Sequence, residues 1–169
     1  MMHAGAVSHP DTGASLVFVA PSGTGKTTLD RLLGRSYGFL TDETVGIDAA
    51  GRIHPYPKPL SLVPADGGAK RETSPDDLGL HYAHPSPTVA RIILLNRPAG
   101  FSGAPRTEEL GTLDAISALV PETSALNRLP SPLHTVAALL DRTGPVLRYS
   151  YGEAEDLAPI AAELIGNAP

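Results

Sequence analysis

Residues 20–28 read Ala-Pro-Ser-Gly-Thr-Gly-Lys-Thr-Thr and follow directly on the apolar run Leu16-Val17-Phe18-Val19. A short β-branched and aromatic run of this kind reads as a buried strand over Ala14 to Val19. Gly23 and Gly25 allow backbone angles that turn successive amide N–H groups towards one point. The stretch from Lys26 to Leu33 reads as a helix, closed by Gly34, whose free N-terminal N–H groups face that same point. A strand, a tight glycine turn and a helix start are therefore fixed by about twenty residues, and the centre they create attracts an anion. A plain glycine-rich turn would explain the glycines. It would not explain a lysine and two threonines at the helix start.

The pattern is a phosphate-binding loop of the Walker A type, with Ala20 where the usual motif has its first glycine. Residues Pro21, Ser22, Gly23, Thr24, Gly25, Lys26, Thr27 and Thr28 are the expected nucleotide-binding set. Lys26 supplies a point charge for the β and γ phosphates, and the Thr27 hydroxyl is a magnesium ligand. ATP and Mg2+ are the expected cofactors.

Composition narrows what surrounds this loop. The 169 residues are 41% hydrophobic, enough for one domain with a real core. The net charge of -5 argues against nucleic acid as a partner, because phosphate neutralisation wants a basic face. Without cysteine there is no disulfide framework and no thiolate metal site. No apolar stretch has the length of about 20 residues that a bilayer span needs, and the N-terminus lacks the pattern of a signal peptide. The expectation is a cytoplasmic protein with no membrane partner.

Along the chain, Ala4 to Val7 reads as a short edge strand and Tyr37 to Leu40 as a further strand ending at Asp42-Glu43. Thr44 to Asp48 and Arg52 to His54 read as a hairpin, and Leu60 to Val63 as strand. Residues 64–87, rich in Gly, Pro and charge, read as a long loop. Val89 to Leu95 is a strong strand and 97–106 a loop. Helices are expected over Thr112 to Leu119, with Thr112 or a neighbour as cap, and over Leu133 to Leu140. Val146 to Tyr149 is a strand, and Glu153 to Ile165 an amphipathic helix. The class is α/β, in one domain spanning 1–169.

Phosphoryl transfer also needs positioning and a group that takes the proton of an attacking hydroxyl. Asp42 and Glu43 close a strand at the sheet edge where open α/β folds bind ligands, and two adjacent carboxylates there can divide labour between a metal and a base. His3 is a third candidate, and His9, His54, His81, His84 and His134 have no partner motif.

With these residues in hand, the chain resembles the catalytic domain of HPr kinase/phosphorylase and its kinase-like relatives. The likeness rests on His3-Ala4 before the loop strand, on Pro21-Ser22-Gly23-Thr24-Gly25-Lys26-Thr27, and on Gly38-Phe39-Leu40-Thr41-Asp42-Glu43 after the first helix. Lys58-Pro59-Leu60 matches a stretch found in the smaller relatives, and the good resemblance covers residues 3–62. It implies the HPr kinase/phosphoenolpyruvate carboxykinase-like fold, a mixed β-sheet flanked by helices around a P-loop core. It implies that Asp42 is the general base towards a serine hydroxyl, that Glu43 helps hold metal, and that His3 lies beside the transferring phosphoryl group. The family's long glycine-rich signature finds no match, so the likeness is to stand-alone relatives that phosphorylate peptides or small hydroxyl compounds. The acceptor is then a peptide, a protein or a small alcohol. Hexamers occur in the family, which leaves a homo-oligomer open. The other readings are a small-molecule or nucleotide kinase and a non-catalytic ATP-binding module. The scattered arginines Arg71, Arg91, Arg97 and Arg106 form no lid motif of a nucleotide kinase.

Overall fold

The computed structural model describes residues 1–62 and 67–168. Among these, β1 (Met2–Ser8), β2 (Ala14–Val19), β3 (Gly38–Thr41), β8 (His81–Tyr82), β9 (Thr88–Asn96), β10 (Arg106–Leu110) and β11 (Val146–Ser150) form a sheet in the order β10-β11-β9-β2-β1-β3-β8. The hairpin of β4 (Thr44–Ile47) and β5 (Ile53–His54) joins it through β4, which pairs with β1. The sheet is mixed: β2 runs parallel to β9 and β9 to β11, whereas β1 is antiparallel to both β2 and β3.

Helices cover both faces. On one face α1 (Lys26–Leu33) and α4 (Ala154–Gly166) pack Leu29, Leu33, Leu157, Ala161 and Ile165 against Val7, Leu16, Phe18, Ile93 and Leu95. On the other, α2 (Thr112–Leu119) and α3 (Pro132–Thr143) bring Ala115, Leu119, Val136 and Leu140 onto Ala4, Ala6, Val17, Val19, Ile92 and Leu94. Successive strand residues alternate between these cores, which is why β2 is buried along its whole length and reads as an unbroken apolar run. A separate two-stranded ribbon, β6 (Leu60–Leu62) and β7 (Arg71–Thr73), anchors Leu60 on Phe39 and Leu80.

Three expectations change. β1 lies in the interior of the sheet between β2 and β3, not at its edge; its small Ala, Gly and Val side chains pack closely against helices and carry little bulk to announce burial. Within 64–87, residues 71–73 and 81–82 are strands, because Arg71–Thr73 finds a partner in Leu60–Leu62 and His81–Tyr82 adds in parallel to β3. Positions 63–66, including Val63 and the start of that stretch, lie outside the described residues. The segment after 97 ends in β10, whose Arg-Thr-Glu-Glu run is exposed and shows no alternation. The N-cap of α2 is Gly111, the neighbour of Thr112, as the expectation allowed, without a side-chain hydrogen bond.

Candidate functional site

The loop between β2 and α1 is shaped by two left-handed glycines, Gly23 at φ 84° and Gly25 at φ 102°. Either would be strained with a side chain. Ala20 is not among the residues of positive φ, so the missing first glycine costs nothing in backbone geometry. Gly25 ends the loop as the N-cap of α1 with no side-chain cap, leaving the helix N–H groups free for an anion. Thr24 Oγ1 donates to the Pro21 carbonyl at 2.7 Å and closes the turn. From the far end of the chain, Tyr151 donates its hydroxyl to the Thr24 carbonyl at 2.5 Å. Burial of Tyr151 pushes its pKa up to about 12, so it stays a donor.

Lys26 is buried, and its ammonium binds the carbonyls of Ala20 and of Pro21, the latter at 3.1 Å. Burial lowers its pKa, while the carboxylates of Glu122, Asp30 and Asp42 act to raise it. Thr27 Oγ1 donates to Asp42 Oδ2 at 3.1 Å, and the second oxygen, Asp42 Oδ1, is buried without a hydrogen-bond partner. Asp42 is itself buried. Desolvation raises its pKa, and the Thr27 hydroxyl and Lys58 work in the opposite direction.

The sheet explains why these groups meet. Ala6 pairs with Thr41 and His3 with Thr44, so in that register Asp42 falls opposite Gly5 and Glu43 opposite Ala4. The Ala4 amide donates to the Glu43 carbonyl at 3.1 Å and holds the acidic pair to β1. His3 therefore stands at the same end of the sheet as the loop, its Nε2 3.5 Å from Ser22 Oγ. Burial and then the charge of Lys26 lower its pKa, favouring the neutral ring. Glu43 is ion-paired with Lys58 and is not bonded to Thr27. Among the described residues no group of three or more His, Asp or Glu side chains is arranged to hold a metal by itself.

His3, Ser22, Gly23, Gly25, Lys26, Thr27, Thr28, Asp42 and Glu43 line one open cleft of about 520 Å³. Of the expected set, Pro21 and Thr24 contribute through their carbonyls and do not line it. The other histidines lie elsewhere: His9 accepts from the amides of Asp11 and Thr12, and His54 pairs with Asp48.

The cleft also contains residues the sequence did not single out as site residues: Arg31, Lys58, Ser61, Leu62, Lys70 and Arg97. Arg97 follows β9 at the strand end beside the loop and is fixed by bonds to the Gly152 carbonyl and to Glu153 Oε2, at 2.5 and 2.7 Å. Asp30, one turn beyond Lys26, is fully buried, and both its oxygens lack hydrogen-bond partners. It fills the space beside Gly5, where an added Cβ would lie 1.8 Å from Asp30 Oδ2. Burial first, and then the Asp42 charge, raise its pKa well above the ordinary carboxylate value.

No protein-family model and no curated protein matches the chain. Among solved structures it is similar to the Hpr(Ser) kinase/phosphatase from Coxiella burnetii, with 14% identity, a TM-score of 0.48, and coverage of 98% of this chain and 93% of that one. Nothing about the chemistry of the cleft follows from that likeness.

Proposed function

We propose that the protein is an ATP-dependent phosphotransferase that passes the γ-phosphoryl group to a hydroxyl, with serine of a peptide or protein as the leading acceptor. The observation that carries this reading is the Thr27–Asp42 hydrogen bond, which joins the Walker A loop to a buried carboxylate with one oxygen still unpartnered.

In this reading the loop amides and Lys26 hold the β and γ phosphates. The acceptor hydroxyl oxygen forms a bond to the γ-phosphorus, the bond from that phosphorus to the β–γ bridging oxygen breaks, and ADP leaves. Asp42 takes the hydroxyl proton. Its raised pKa makes it a better proton acceptor than an exposed carboxylate, provided it is ionised at the working pH. His3, neutral and next to Ser22, is placed to donate or accept a hydrogen bond at the transferring group. Thr27 and the free oxygen of Asp42 are the groups that would hold a magnesium ion, which when bound offsets phosphate charge. Glu43 supports that site only through its tether to β1 and Lys58.

Two variants test the reading. Lys26→Ala is expected to abolish ADP binding in calorimetry. Asp42→Asn is expected to bind ADP within a few-fold of wild type and to lose transfer of label from γ-labelled ATP by about 10²–10⁴, the usual worth of a positioned base. Serine peptides, free serine and sugars are the acceptor panel. Near wild-type transfer by Asp42→Asn would remove Asp42 as base, and unchanged ADP affinity in Lys26→Ala would remove the nucleotide site.

A further inference from the structure

The chain has only three lysines, Lys26, Lys58 and Lys70, and all three line the one cleft, although the protein as a whole carries a net charge of -5. Lys26 belongs to the loop. The other two stand on a different wall. Lys58 leads into β6, Lys70 leads into β7, and the ribbon of these two strands is anchored through Leu60 to Phe39 of β3, the strand that Asp42 directly follows. Arg31, one helical turn beyond Thr27, adds a fourth cation to the cleft. Arg97 lies across the loop on the β9 side, already held by Glu153.

On the Asp42 side the cations Lys58, Lys70 and Arg31 stand against the carboxylates of Asp42, Glu43 and Glu72, but among the described residues only Lys58 of these cations forms an ion pair. The carboxylates lining the cleft are Asp42 and Glu43, with Glu72 close enough to act on Asp42. Glu43 is taken by Lys58. Among the described residues the side chains of Lys70 and Arg31 make no hydrogen bond or ion pair. Under the proposed function, an acceptor hydroxyl within reach of Asp42 lies against this wall. Cations left without a partner beside a reacting group are matched by charge on the ligand.

Building on that reading, we propose that the acceptor is itself anionic, carrying a phosphate or carboxylate next to its hydroxyl, and that Lys70 and Arg31 bind this group while Lys58 stays on Glu43. Lysine suits the task as a mobile point charge that serves phosphate and carboxylate alike. Two sources share this chemistry, a small phosphorylated alcohol and a serine flanked by acidic residues.

Selective 13C-lysine labelling tests the assignment, because the protein yields only three lysine signals, assignable with Lys→Arg variants. In protein saturated with Mg-ADP, glycerol 3-phosphate and an Asp-Ser-Asp peptide are titrated against glycerol and an Asn-Ser-Asn peptide. The expected result is that at least one anionic probe shifts the Lys70 signal while its neutral counterpart does not. Lys70→Gln and Arg31→Ala should each weaken that probe about tenfold or more, the worth of one charge-assisted contact, without changing ADP affinity. Which probe responds identifies the source. The proposal falls if neither probe shifts Lys70, if the neutral compounds act equally, or if the anions move only Lys26 and are displaced by ADP. A Lys26 signal that ADP leaves unmoved would sink the nucleotide site instead, a separate outcome from anything seen at Lys70.

Discussion

Asp30 is the most exposed point of the structural reasoning, because a carboxyl with no solvent and no hydrogen-bond partner has to be neutral or very costly. Its pKa is raised well above the usual value by burial and by the Asp42 charge. In the unfolded chain the same group releases its proton near pH 4. Between that pH and the raised native value, the folded protein therefore holds a proton that the unfolded one has lost. The stabilising contribution is fully present below the unfolded value and declines as pH rises towards the folded one. The slope is about 1.4 kcal/mol per pH unit for one proton. Asp30→Asn keeps the shape, and with it the space beside Gly5, but carries no proton to lose. Wild type and variant should thus be similar in stability near pH 4 and diverge above it. Above about pH 4 the gap should widen in favour of Asp30→Asn, by up to about 1.4 kcal/mol per pH unit until the native value is reached, a sizeable share of a domain's total stability of about 5–15 kcal/mol. Urea unfolding of both proteins across that range measures the difference, and every titration they share cancels. Parallel stability curves would refute the buried neutral carboxyl. A variant that loses ground as pH rises would show an ionised Asp30 serving as counter-ion to Lys26.

Three further outcomes follow from named contacts. Gly5→Ala places a Cβ against the Asp30 carboxyl and should cost about 1–3 kcal/mol, with most of that loss recovered in the Asp30→Ala background in a double-mutant cycle; additive effects would contradict the contact. Tyr151→Phe removes the donor to the Thr24 carbonyl and should cost about 1 kcal/mol, read as a loss of roughly fivefold in ADP affinity; unchanged affinity would mean the loop holds its shape without Tyr151. Phe18→Ala empties a site that is 1% exposed between the sheet and the α1–α4 layer and should lower stability by about 3–5 kcal/mol in urea unfolding; a loss under 1 kcal/mol would mean that the site collapses freely.

The elements legible in the sequence are those whose reason for forming is local. β2 and α1 run from Ala14 to Val19 and from Lys26 to Leu33, as the apolar run and the glycine turn require. β9 and β11 announce themselves by the runs Ile92-Ile93-Leu94-Leu95 and Val146-Leu147, which contribute to the cores on both faces of the sheet. The hairpin of β4 and β5 is written in Asp48, whose carboxylate binds the amides of Ala50 and Arg52. What stayed hidden depends on partners far along the chain. β10 is a strand because it lies against β11, and β7 because it lies against β6; in each the exposed side chains leave no alternation to read.

The site divides along the same line. The loop, His3 and the acidic pair were visible because their residue types are tied to chemistry at short spacing, and the structure sets them around one cleft. Tyr151 reaches the loop across 127 residues of sequence, and nothing at position 151 marks it. The acidic pair shows how backbone geometry divides two neighbours that look equivalent in the sequence. Antiparallel register puts Asp42 opposite Gly5, buried where the Thr27 hydroxyl meets it, while Glu43, the next residue of the bend between β3 and β4, is left half-exposed with Lys58. Gly5 matters for the same reason. With any side chain there, the Asp30 carboxyl would be pushed out of the space it fills beside β1. The second wall left no such mark: Lys26, Lys58 and Lys70 are scattered along the sequence, and only the β6–β7 ribbon brings the latter two to the cleft.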